Sequence, residues 1–138
     1  MEISEILKKS KGISIVGLSE KADRPSFGVA NYLLEQGYKI IPINPNLPEL
    51  KWQEIRAYRS VSEIPKNVRV DVVDIFRKSE EVGPIVDEAI AIGARVVWMQ
   101  LGIVNEDAAL KARCAGLEVV MDKCMKIEHE KIAKKIQK

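Results

Sequence analysis

The stretch Ile13-Ser14-Ile15-Val16-Gly17-Leu18-Ser19, followed by Arg24-Pro25-Ser26 and then by Val29, Leu33 and Leu34, decides the fold. A short β-branched run reads as a buried strand, glycine and small polar residues as a turn, and apolar residues three or four apart as a helix. A helix start presents unpaired N–H groups and the positive end of its dipole, which suits a phosphate. A phosphate-bearing ligand is thus the first expectation.

Outward from this unit the same alternation recurs. Apolar runs at Ile13–Gly17, Lys39–Ile43, Val70–Ile75, Arg95–Trp98 and Leu117–Met121 are separated by amphipathic segments at Phe27–Gln36, Ser79–Ile92 and Asn105–Ala115. Each segment ends at a glycine (Gly37, Gly93, Gly116), where a helix terminus favours a left-handed residue. Alternating strands and helices predict an α/β, Rossmann-like, doubly wound fold: a mainly parallel five-stranded sheet with helices on both faces. Ile3–Leu7 and Ile127–Ile136 have the spacing of terminal helices. Four prolines, Pro42, Pro45, Pro48 and Pro65, crowd the second crossover, so it is expected to be irregular, with a short helix near Lys51–Ala57.

With 138 residues the chain is expected to form one domain over residues 1–138. Apolar residues make up 46% and charged residues 30%, the composition of a soluble globular protein. A net charge of +2 gives no reason to expect nucleic acid, and the basic tail of Lys131, Lys134, Lys135 and Lys138 reads as a solvated helix end. No apolar run approaches the ~20 residues needed to span a bilayer and the N-terminus lacks a signal-peptide pattern, so a cytoplasmic protein without a membrane partner is expected. Cys114 and Cys124 have neither zinc nor CxxC spacing. Cys114 is expected in the core, whereas Cys124, after the last strand, could face the ligand.

In an open parallel sheet the ligand lies beyond the carboxyl ends of the strands, where strand order reverses. Gly17, Ser19, Arg24 and Ser26 follow the first strand. Ser26 could cap the helix, and Arg24 offers a planar charged fork to phosphate oxygens, although glycine at a strand end also serves as a plain turn. Asn44-Pro45 follows the second strand and reads as a turn whose amide could also meet a ribose. Phe76-Arg77-Lys78 at the third strand end joins an aromatic surface to two cations, suited to a phosphorylated adenosine or to a solvated helix entry. The first turn has Ser19 and Ala22 where a dinucleotide fingerprint has its second and third glycines, and Asn44 replaces the ribose-binding acid. Both departures count against NAD.

No catalytic set assembles. His129, between Glu128 and Glu130, reads as a surface residue; no serine stands in a nucleophile elbow, and no ligand cluster suggests a metal.

The chain resembles the stand-alone CoA-binding domain family and, through it, the CoA-binding domain of the succinyl-CoA synthetase α subunit. The resemblance runs from about Ile6 to Ile127 and rests on several blocks. These are Ile15-Val16-Gly17-Leu18-Ser19, Arg24-Pro25-Ser26, Tyr32-Leu33-Leu34-Glu35-Gln36-Gly37-Tyr38 and Pro42-Ile43-Asn44-Pro45 in the first half. Val72-Val73-Asp74-Ile75-Phe76-Arg77, Val97-Trp98-Met99-Gln100-Leu101-Gly102 and Val119-Val120-Met121-Asp122-Lys123-Cys124 follow. The resemblance implies a bound coenzyme A, with Gly17, Ser19, Arg24 and Ser26 on phosphates and Asn44 and Pro45 lining the crevice. It further implies Phe76, Arg77, Lys78 and Val82 near the adenosine, and Gln100 and Gly102 on the pantetheine side. The synthetase's phosphohistidine domain has no counterpart here, so the likeness carries binding of CoA or an acyl-CoA and not ligase activity. A nicotinamide oxidoreductase, or a subunit of one, is the alternative reading; a homodimer or a further protein partner is compatible with either.

Overall fold

The structure is a computed structural model that describes residues 1–136, with side chains through residue 134. In chain order the elements are α1 (Ile3–Lys9), β1 (Gly12–Val16), α2 (Pro25–Glu35), β2 (Lys39–Ile43), β3 (Lys51–Trp52) and β4 (Ile55–Arg56). There follow β5 (Val72–Ile75), α3 (Val82–Ala91), β6 (Val96–Met99), α4 (Glu106–Cys114), β7 (Glu118–Val120) and α5 (Met125–Ile136). The five strands expected from the sequence form one parallel sheet in the order β2-β1-β5-β6-β7.

Alternation along each strand sends successive side chains to opposite faces. Ile13, Ile15, Val72, Val96 and Trp98 pack on one face with α1, α2 and α5. Val16, Ile41, Ile43, Val73, Ile75, Val97 and Met99 pack on the other with α3 and α4. Both faces are thereby covered, as a doubly wound parallel sheet requires. The chain leaves β1 to lay β2 on one side and returns to lay β5 on the other, so strand order reverses between β1 and β5. Beneath that seam, at the amino ends of the strands, the buried Asp71 carboxylate accepts from the N–H groups of Lys11 and Gly12 at 2.8 and 3.0 Å and from Arg69 Nε at 2.9 Å. Burial pushes the Asp71 carboxyl up, but these donors together hold it below the usual carboxylate range. The three helix-ending glycines carry φ of 97°, 77° and 91°, as their position demands.

The second crossover corrects one expectation. Lys51–Ala57 is not a helix: β3 and β4 form a small antiparallel hairpin. Its two turn residues, Gln53 and Glu54, both have positive φ, 48° and 66°, the geometry of a two-residue turn normally written Asn-Gly. Burial outweighs that local penalty. Trp52 is 1% exposed, meets the edge of Phe27 at 5.3 Å, and donates its indole N–H to the Ser19 carbonyl at 3.2 Å. The hairpin therefore braces the loop that follows β1.

Two further expectations change. Cys114 is exposed, because α4 buries Ala108, Ala109 and Ala112 and the cysteine falls off that stripe. His129 is half-buried between α5 and α2, sharing a 2.8 Å hydrogen bond with the Tyr32 hydroxyl and lying edge-on to Tyr32 and Tyr38. Burial lowers its pKa despite the opposing pull of Glu130. Of the basic tail, Lys131 and Lys134 are exposed; Lys135 and Lys138 lie outside the described side chains. Among the described residues no helix is long and apolar enough to cross a membrane.

Candidate functional site

Two clefts open at the carboxyl ends of β1, β2 and β5, on either side of Gly17. Gly17 has φ of 86°, and a Cβ there would stand 2.6 Å from the Phe76 carbonyl oxygen. Only glycine lets the chain turn out of β1 this close to β5. Its N–H continues the sheet to the Ile43 carbonyl at 2.8 Å, and the Phe76 N–H reaches the Val16 carbonyl at 2.9 Å. The switch point is thus held on both flanks.

The first cleft, about 340 Å³, is lined by Gly17, Ser19, Lys21, Arg24, Pro25, Ser26 and Phe76. Arg24 is the N-cap residue of α2 and makes no side-chain cap bond, with Pro25 at the first helical position. Ser26 does not cap the helix as expected. Its hydroxyl accepts the Ser19 N–H at 2.9 Å, while the Ser19 hydroxyl accepts the Lys21 N–H at 3.0 Å. The loop is therefore fastened by its own serines, and of its charged residues Lys21 and Arg24 line the cleft while Glu20 and Asp23 do not. Neither Lys21 nor Arg24 enters an ion pair among the described residues. Lys21 escaped the sequence reading, although a cation between Ser19 and Arg24 in one loop was a readable signal.

The second cleft, about 270 Å³, has apolar walls from Val16, Ile43, Pro45, Val61 and Ile85, with Asn44, Arg59, Ser60, Arg77, Glu81 and Glu88 around them. Asn44 is spent on architecture: its amide donates to the Leu18 carbonyl at 3.0 Å and its side-chain oxygen accepts the Asn46 N–H at 2.9 Å. Arg77 pairs with Glu81 at 3.4 Å. Arg59, Ser60 and Glu88 come from the irregular crossover and from α3, and no motif announced them.

The other expected site residues stand apart. Lys78 is exposed and lines neither cleft, and Val82 is fully buried in the core under α3. Gln100 is 4% exposed, and its side-chain oxygen accepts the Met125 N–H at 3.1 Å, capping α5. The Gly102 N–H donates to Asp122 at 2.7 Å. Cys124 is half-buried against the core and lines neither cleft. The structure brings together Gly17, Ser19, Arg24, Ser26 and Phe76 in one cleft and Gly17, Asn44, Pro45 and Arg77 in the other.

A parallel sheet covered by helices on both faces, with clefts at its switch point, defines a single α/β domain of Rossmann-like fold. Residues 11–130 match the CoA-binding domain family, and the chain belongs to it. It is similar to the uncharacterized protein YneT of Bacillus subtilis, 40% identical over 128 residues that cover 93% of this chain and 92% of that one. It is also similar in structure to a hypothetical protein from Pyrococcus horikoshii, with a TM-score of 0.88 and 41% identity over 94% of this chain and 88% of that one. A third relative is the ADP-forming acetate–CoA ligase II of Archaeoglobus fulgidus, 29% identical over 70 residues. That match spans 49% of this chain and 10% of the ligase. None of this supports the nicotinamide oxidoreductase alternative.

Proposed function

We propose that the protein binds coenzyme A or an acyl-CoA across Gly17, with the diphosphate in the first cleft and the adenosine in the second, and that it acts as a binding protein. The observation that carries this reading is the pairing of the two clefts. One offers Lys21, Arg24 and the start of α2 to an anion; the other offers apolar walls of nucleobase size beside Arg77. The Asn44 amide is already committed to Leu18 and Asn46, which leaves the end of β2 without the acid that an NAD ribose requires. A reducing, cytoplasmic setting, where free thiols persist, fits this ligand.

Isothermal titration against CoA, dephospho-CoA, NAD and NADP tests the reading. CoA should bind and NAD should not; no heat with CoA would overturn it. Arg24→Ala should weaken CoA binding by about 1–3 kcal/mol, the range of charge-assisted hydrogen bonds. Because Arg24 is exposed at a helix start, the melting temperature should hardly move. A full loss of fold in that variant would give the arginine a structural role instead.

A further inference from the structure

Arg59 belongs to none of the sequence motifs, yet the fold carries it to the second cleft. Tyr58 pairs with Ile43 beyond β2: its N–H donates to the Pro42 carbonyl and its carbonyl accepts the Asn44 N–H, both at 3.0 Å. Residue 58 thus adds a one-residue rung to the edge of the sheet, and Arg59 emerges at the rim of the cleft that Arg77 enters from β5. Two carboxylates share the lining. Glu88 is occupied, accepting the Ser62 N–H and hydroxyl at 3.1 and 2.7 Å. Glu81 holds Arg77 at 3.4 Å through half-exposed side chains, a pairing worth little in water. Arg59 enters no ion pair among the described residues.

We propose that Arg59 and Arg77 together read a phosphomonoester on the nucleoside end of the ligand, and that Glu81 is the resident counter-ion that yields Arg77 when the phosphate arrives. A phosphomonoester carries about −1.5 to −2 charge at neutral pH and three acceptor oxygens, so it outcompetes one solvated carboxylate for a guanidinium fork. Arg59 thereby takes the place that the sequence had suggested for Lys78. The proposal rests on the CoA reading and adds to it a basis for discrimination: CoA carries a ribose 3′-phosphate and dephospho-CoA lacks it.

Titration of both ligands against wild type, Arg59→Gln and Glu81→Gln tests this. Wild type should favour CoA over dephospho-CoA at least tenfold, and Arg59→Gln should bring that ratio close to one. Glu81→Gln should tighten CoA severalfold and raise the ratio. Equal affinity of wild type for the two ligands would overturn the phosphate-reading role while leaving CoA binding intact, as would an unchanged ratio in Arg59→Gln. Failure of wild type to bind either ligand would overturn the CoA reading itself. Both side chains are on the surface, and unchanged circular dichroism and melting temperature would confirm that the variants fold.

Discussion

Asp74→Val is expected to stabilise the protein by about 1–3 kcal/mol at neutral pH, the cost of burying a polar group without a hydrogen-bond partner. Asp74 sits in β5 in register with Ile15 of β1 and Trp98 of β6, fully buried. Neither carboxyl oxygen meets a donor in hydrogen-bond geometry. Burial pushes this carboxyl well above the ordinary value of 3.8, against a smaller downward pull from the neighbouring Ile75 N–H. An acid whose folded pKa is raised binds more protons folded than unfolded. Its contribution is therefore complete below the unfolded value and is lost as pH climbs toward the folded one. Valine is close in volume and suits a central strand. Urea denaturation of variant and wild type across pH gives the test: the difference should start near pH 4 and widen upward. Comparing the two curves isolates Asp74, because Asp71, with its lowered pKa, contributes in the opposite sense. A variant less stable than wild type would mean that the carboxyl has a partner, such as an internal water.

Gly17→Ala is expected to lose about 1–3 kcal/mol from backbone strain alone and to weaken CoA binding at least tenfold. The added methyl would stand 2.6 Å from the Phe76 carbonyl oxygen, so β5 and the start of Phe76-Arg77 must move, and both clefts share that wall. Gly37→Ala is the informative comparison. Its φ of 97° is also positive, but no atom lies within 4 Å of a Cβ there. It should lose stability with CoA affinity preserved. Equal CoA affinity in both variants would show that the crevice is elsewhere.

The sheet was legible because each of its strands is a short β-branched run closed by turn residues, and the helices between them, α2, α3 and α4, each stop at a glycine. The hairpin at residues 51–56 was not, since Gln53-Glu54 carries no turn signal and its conformation is imposed by the burial of Trp52. Among site residues, Gly17 and Arg24 could be read from strand-end position. Ser26, Asn44 and Gln100 have the right polarity in the right places, but the fold commits each to a backbone partner. Which polar group is free for a ligand depends on who its neighbours are, and a linear sequence does not display neighbours. Arg59 shows the same limit from the other side, for only the Tyr58 rung brings it to the cleft.

The strand order also governs how the chain comes together during synthesis. β1 meets β2 early, but its other flank waits for the segment around Asp71, 59 residues from Gly12. Until β5 emerges, the flank of β1 that it will cover is an open edge of Ile13, Ser14, Ile15 and Val16, the kind of apolar edge that invites pairing with another chain. Distant pairing also slows folding. The strand that carries Gly17 to the switch point is therefore the segment of a nascent chain most in need of protection from aggregation.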